Sequence, residues 1–380
     1  MRLFHQLSTN LQKLNKTILT ISQLTFHVKI NCNNHLSMFF SVFLINKSLS
    51  SAFTCLLEKN TNKCIPSQFS SHFLSNFSSL ALSFHQAKFC PTATWSQHGI
   101  PFANQSIVGH HPLSILVDKN NTIYVANREH NTILVWHEGN SNPTNIISGN
   151  FTDPHSLFVA SNGDIYIDDG GINHRVQKWI AKTKTFATVM HVNSSCTGLF
   201  VDTNHTLYCS LYQQHQVVKR SLNDPDVTSI SVAAGTGYPS MASNGLKTPR
   251  GIFVDVNFDL YVADCGNDRI LLFPAGESNG IILVGFGSQH SGDYGCSSAI
   301  VLDAEKYLFF ASGITDRTIG SSLNGIRCST GCYYRGGYYA NEINPTSLSF
   351  DRSGNIFLVN PKSGGIEKFE FLQRSCGKSK

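Results

Sequence analysis

The stretch Pro249–Phe273 reads PRGIFVDVNFDLYVADCGNDRILLF. An apolar run, Gly251-Ile252-Phe253-Val254, ends on Asp255; a short turn leads to a second run around an aromatic, Leu260-Tyr261-Val262-Ala263; a third run follows from Arg269 to Phe273. Short apolar runs punctuated by Asp, Asn and Gly are the pattern of antiparallel strands joined by tight turns. The same phase recurs outward in both directions. Related blocks begin near Pro112, Pro154, Cys196, Ser297 and Pro345, and five of the six first runs end in Asp: Asp118, Asp202, Asp255, Asp303 and Asp351. The aromatic anchors of the second runs are Tyr124, Tyr166, Tyr208, Tyr261, Phe309 and Phe357, spaced by 42, 42, 53, 48 and 48 residues. A period of that length holds about four short strands, one blade of a β-propeller. Six blocks predict an all-β, six-bladed propeller over residues 90–380.

The last block has three recognisable strands before a charged tail, so its outer strand must come from elsewhere. The segment Trp95–Val108, just before the first block, is expected to supply it and to close the ring, leaving no open sheet edge at the join. That closure places Cys90 near Cys376.

Residues 1–89 differ in character. They carry eight Lys or Arg and a single acid, Glu58, whereas residues 90–380 carry 21 basic and 23 acidic residues. The net charge of +5 therefore divides into +7 for the first segment and −2 for the repeats. A slightly acidic repeat body argues against nucleic acid as a partner. The first segment shows no sustained period and is expected to be a processed or disordered leader, or a mispredicted one. Its apolar run Met38–Ile45 is too short to span a bilayer. It could serve as a signal-peptide core if translation began at Met38.

Eight of the 11 cysteines lie in the repeat region: Cys90, Cys196, Cys209, Cys265, Cys296, Cys328, Cys332 and Cys376. An even set in a chain of this kind fits disulfides and a secreted or extracellular location. Cys196 and Cys209 fall on neighbouring antiparallel strands, where side chains come within bonding reach, and Cys90 with Cys376 would staple the two ends. Cys328 and Cys332 offer half of a zinc site or a small disulfide loop; no second half follows, which favours the loop. Acceptor sequons at Asn104, Asn120, Asn150, Asn193 and Asn204 in the repeats point to glycosylation; the leader adds Asn15, Asn46 and Asn76.

The pattern Pro-x-Gly-Ile-x-Val-Asp, Leu-Tyr-Val-Ala-Asp, Asn-Asp-Arg-Ile and a closing aromatic resembles an NHL repeat, and the other blocks resemble it with more decay. Residues 90–380, from the Cys90-Pro91-Thr92-Ala93-Thr94-Trp95 stretch to Ser375-Cys376-Gly377, resemble the secreted, cysteine-bearing NHL-repeat proteins of small invertebrates. That resemblance implies the fold and leaves function open, since NHL propellers include protein- and RNA-binding modules, kinase sensor domains and an amidating lyase.

In a propeller the first strand of each blade lines the channel, so the second position of each block marks the entrance: Leu113, His155, Thr197, Arg250, Ser298 and Thr346. A lyase of the NHL class would hold zinc through three channel histidines; only His155 is present, and one imidazole is too few for a catalytic zinc. No metal and no cofactor are expected. A small ligand at His155, Arg250, Thr197, Ser298 and Thr346 would be anionic or polyhydroxylic, with Arg250 supplying the charge. The strand-ending acids are expected to bond local backbone amides, and Arg175 and Arg269 to bridge Asp169 and Asp264, with Arg317 in the equivalent place. The insertion between the fifth and sixth blocks holds Tyr333, Tyr334, Arg335, Tyr338 and Tyr339, side chains enriched in binding hot spots. The expected function is a non-catalytic extracellular binding scaffold for protein or glycan, monomeric and without a transmembrane segment. The alternatives are an amidating-lyase-like metalloenzyme and an intracellular NHL module that binds RNA or protein, as in ubiquitin-ligase relatives.

Overall fold

A computed structural model describes residues 86–90, 92–288, 295–312, 317–322, 325–330, 345–360 and 364–373. Among these residues the chain is a β-propeller built of four-stranded antiparallel sheets. After β1 (Ile100–Ala103) and the one-turn helix α1 (Gln105–Val108), the first consecutive set is β2 (Ile115–Val117), β3 (Ile123–Asn127), β4 (Thr132–Trp136) and β5 (Asn145–Ser148). The second is β6 (Leu157–Val159), β7 (Ile165–Asp169), β8 (Arg175–Ile180) and β9 (Thr185–His191), with the helical turn α2 (Gly170–Asn173) between β7 and β8. The third is β10 (Cys196–Val201), β11 (Thr206–Leu211), β12 (Gln216–Ser221) and β13 (Ser231–Gly235). The fourth is β14 (Ile252–Val254), β15 (Leu260–Asp264), β16 (Arg269–Phe273) and β17 (Ile281–Val284). The fifth is β18 (Ser297–Leu302), β19 (Leu308–Ser312), β20 (Arg317–Ser322) and β21 (Gly325–Thr330). The last sheet is made of β22 (Ser347–Phe350), β23 (Ile356–Asn360), β24 (Gly365–Phe369) and β1, in the order β1-β24-β23-β22.

The repeating sequence block explains the repeating sheet. Each first run becomes the first strand, and these strands neighbour one another in the order β2, β6, β10, β14, β18, β22 and back to β2. The strand-ending acids cap the hairpins as anticipated. Asp118 Oδ1 accepts the amides of Asn120 and Thr122 at 2.8 and 2.9 Å, and Asp202 Oδ1 those of Asn204 and Thr206 at 2.9 and 2.8 Å. Asp303 Oδ1 does the same for Glu305 and Tyr307 at 2.9 and 2.8 Å.

The small third position of each block has a packing cause. A Cβ added to Gly251 would stand 2.8 Å from Ala299 Cα and 2.8 Å from Ser298 O on the next first strand; one added to Gly198 would meet Arg250 O at 2.6 Å. Adjacent first strands converge at the axis, so only Gly, Ala or Ser fits there. Where the residue is Ser, its hydroxyl joins the sheets: Leu157 N donates to Ser114 Oγ at 3.3 Å and Ile115 N to Ser347 Oγ at 3.2 Å.

Pairing of the N-terminal segment with the last sheet follows the expectation in part. β1 pairs antiparallel with β24, Ile100 opposite Lys368 and Pro101 opposite Glu367, and Trp95 bridges Phe371. Residues 105–108 form α1 instead of strand, and Val108 is buried. The packing also begins earlier than Cys90. Phe89 is buried against Trp95, Phe309, Phe350 and Phe371, with ring centroids 5.0–5.5 Å apart. Trp95 Nε1 donates to Gly354 O at 2.7 Å, and Gln86 Nε2 to Leu302 O at 3.0 Å.

Cys196 and Cys209 form a disulfide within the third sheet, with sulfurs 2.09 Å apart. Cys265 and Cys296 form a second, from the turn after β15 to the residue before β18. Cys90 is also disulfide-bonded. Cys376 and Cys332 lie outside the described residues. No helix among the described residues is long and apolar enough to cross a membrane.

Candidate functional site

The first strands surround a cavity of about 740 Å³. Their side chains alternate. In β2 Ile115 and Val117 are buried between layers while Leu116 is partly exposed, and in β22 Leu348 and Phe350 are buried while Ser347 and Ser349 are partly exposed. The fifth position of each block therefore forms a belt at mid-channel: Leu116, Phe158, Phe200, Phe253, Val301 and Ser349, all of which line the cavity. Phe158 and Phe200 lie 5.0 Å apart by ring centroid, and Phe200 and Phe253 4.9 Å. The belt lies two residues beyond the small third position, on the same strand face, so the period-two alternation of a strand marks it in the sequence where the second position does not.

Of the predicted entrance residues, His155, Thr197, Ser298 and Thr346 line the cavity, as does Leu113. Most are already engaged. Thr197 Oγ1 donates to Pro249 O at 3.0 Å and Ser298 Oγ donates to Pro345 O, both on the following first strand's approach. His155 Nδ1 lies 3.0 Å from Asp153 O and 3.4 Å from Asp168 Oδ2. Asp168 is fully buried and accepts the amide of Cys196 at 2.8 Å. Asp153 in turn receives Arg128 Nε at 2.5 Å, and that guanidinium holds its carboxyl below the usual range. Thr346 Oγ1 is buried without a hydrogen-bond partner among the described residues.

Arg250 departs from the expectation. It does not line the cavity; its guanidinium sits over the Tyr212 ring at 5.4 Å. The close approach of the first strands explains why. At that level Arg250 O already accepts Ser210 Oγ, and the side chain turns to the nearest aromatic face, where a guanidinium is attracted by the ring quadrupole. Among the described residues, Arg250 therefore supplies no cation to an anionic or polyhydroxylic ligand at the second-position mouth.

The predicted bridges are present. Arg175 Nε meets Asp169 Oδ2 at 2.7 Å and Arg269 Nε meets Asp264 Oδ2 at 2.7 Å. Arg269 does more. Its remaining nitrogens donate to Met241 O at 2.8 Å, Ala242 O at 3.0 Å and Gly245 O at 3.1 Å, and Asn267 Nδ2 donates to Ser240 O at 2.8 Å. Burial pushes the Asp264 carboxyl up, against the bonds from Lys247 N, Asn267 and Arg269. These contacts fix the loop from β13 to β14, which presents Tyr238 and Met241 at 77% and 67% exposure. Phe286, 85% exposed, follows Gly285 just after β17. Tyr333, Tyr334, Arg335, Tyr338 and Tyr339 fall outside the described residues; the start of the insertion, Gly320–Asn341, lies in β20 and β21. Asn104, Asn120, Asn150, Asn193 and Asn204 are all exposed. No group of three or more His, Cys, Asp or Glu side chains among the described residues is placed to hold a metal ion.

No protein-family model matches the chain, and no curated protein matches it either. Solved structures do. A structural genomics protein of unknown function from Bacteroides thetaiotaomicron aligns with a TM-score of 0.57 at 11% identity, over 88% of this chain and 93% of that one. An auxiliary nutrient binding protein from the same organism aligns at 0.54 and 13%, over 76% and 75%. A streptogramin B lyase aligns at 0.52 and 13%, over 72% and 98%. Likeness at this identity shows the propeller fold alone; a lyase and a binding protein share it.

Proposed function

We propose that the protein is a non-catalytic extracellular binding scaffold of the NHL-repeat type. Its six sheets would be six blades of one ring, closed by β1, with a leader that ends ahead of Gln86. The observation that carries the reading is the loop between β13 and β14: a rigidly anchored backbone that holds Tyr238 and Met241 in solvent, while Phe286, after β17, is exposed as well. Aromatic and Met side chains held out on fixed backbone supply contact area at low ordering cost, as protein-recognition surfaces require. The Tyr-rich insertion joins β21 to β22, the same kind of connection, and is expected to extend that surface. The disulfides and the five exposed sequons support passage through an oxidising secretory route.

The test is expression of the full chain in a secretory host, followed by presentation to extracellular protein and glycan arrays. Binding to a protein ligand is expected. It should be lost in the variant carrying Tyr238→Ser, Met241→Ser and Phe286→Ser with no change in melting temperature, because all three side chains are exposed. Equal binding by the variant would overturn the assignment of the surface, and a non-secreted, fully reduced product would overturn the location.

A further inference from the structure

The mid-channel belt is lopsided. Three consecutive first strands, β6, β10 and β14, place Phe158, Phe200 and Phe253 on one side, while β18, β22 and β2 place the smaller Val301, Ser349 and Leu116 on the other. We propose that this cavity binds a small hydrophobic acid, an apolar and preferably aromatic body carrying one carboxylate or sulfonate. The reading is independent of the macromolecular surface above it.

Three observations lead there. The volume, about 740 Å³, is that of a site that encloses a drug-sized molecule. The belt chemistry selects the body: at mid-channel five of the six side chains are Phe, Leu or Val and only Ser349 carries a hydroxyl, so a sugar held there would be stripped of water with few replacement bonds, whereas an apolar body loses only unfavourable hydration. Of the three entrance hydroxyls, Thr197 and Ser298 donate to backbone carbonyls, and Thr346 Oγ1 alone has no partner among the described residues.

The third observation concerns the head group. At the hairpin end the lining includes Lys119, Lys178, Asn162, His205 and Asn223. Lys178 is tied to Asp164 at 2.7 Å. Asp118 and Asp202, which line the same end, spend one oxygen on hairpin amides and receive Tyr124 and Tyr208 hydroxyls on the other, at 3.3 and 3.2 Å. Lys119 is exposed and forms no ion pair among the described residues, so its ammonium is the cation available to an acidic head at this mouth.

The probe is 1-anilinonaphthalene-8-sulfonate, an aromatic body with one sulfonate, titrated into the full disulfide-bonded chain and read by fluorescence. The neutral analogue N-phenyl-1-naphthylamine serves as a second probe. Saturable binding of both at one site is expected. Val301→Trp, which fills the space opposite the phenyl wall, should weaken both at least tenfold while melting temperature and near-ultraviolet circular dichroism stay as in the parent. Leu116→Trp carries the same expectation from another strand should the first variant fail to fold. Lys119→Gln should weaken the sulfonate probe several-fold and leave the neutral one unchanged. The Tyr238, Met241 and Phe286 triple variant should bind both probes as the parent does, which separates this site from the surface above. The proposal is overturned if the parent shows no saturable binding, the cavity then holding only water or the chain's own residues, or if both tryptophan variants bind undiminished. An equal effect of Lys119→Gln on both probes would overturn the acidic head group.

Discussion

Arg269 illustrates how much a single guanidinium organises. It is buried, pairs with Asp264 and donates to three carbonyls of the β13–β14 loop. Arg269→Met keeps the length of the stem but leaves a buried carboxylate and those carbonyls without their donor. A loss of about 3–5 kcal/mol is expected from urea unfolding, and proteolysis should begin within residues 236–248. Asp303 offers a test by pH. Its carboxyl is pushed up to about 6 by burial, against three backbone amide bonds. Because the folded value exceeds the usual one, the protonated form favours folding: the contribution is complete below about pH 4 and is lost as pH rises through about 6. The stability of the parent relative to Asp303→Asn, whose amide does not titrate, should fall by about 1.4 kcal/mol per unit across that interval. A pH-independent difference would refute the assignment. What the sequence disclosed at this scale was the local chemistry. Asp caps and Arg–Asp bridges are encoded within a few residues of one another, so spacing reveals them; Arg250 turned away because of a neighbour forty residues upstream in the chain, Ser210, and Tyr212 beyond it, which spacing does not show.

At the scale of the element, the first strands were legible because a strand buried on both faces with a tight hairpin leaves a strong local signature. The outer strands were not. β5, β9, β13 and β17 carry exposed residues such as Ile146, Val232 and Ile281, and their pairing depends only on the strand beside them. The composition of the segment before Cys90 is that of the leader, yet Phe89 completes an aromatic cluster supplied by the last two sheets. Replacing Phe89 by Ala should cost about 3–5 kcal/mol, measured by thermal unfolding; a change within experimental error would show that residues 86–89 only lie against the body. The disulfide inside the third sheet closes a loop of 13 residues between Cys196 and Cys209. Replacing both by Ser should lower stability by about 2–4 kcal/mol without changing the strand pairing.

For the molecule as a whole, the decisive contact joins distant ends of the sequence, β1 to β24. Deleting residues 86–103 should expose the edge of β24 and remove Phe89 and Trp95 from the core together. Aggregation at micromolar concentration is expected, read by light scattering; a soluble, cooperatively unfolding product would show that the last sheet stands without its borrowed strand. The cavity belongs to this scale too. No single block contains it, and its lopsided wall emerges only when the fifth positions of all six blocks are set around one axis.

The bond between Cys265 and Cys296 spans the turn that carries Phe286. Since Phe286 is the most exposed large apolar side chain described, chymotrypsin should cut there first. The severed polypeptide would remain covalently one: a single band on a non-reducing gel, two bands after reduction. A propeller cut in this way keeps its ring, so the cysteine pair makes that loop a place where the protein can be nicked and still persist.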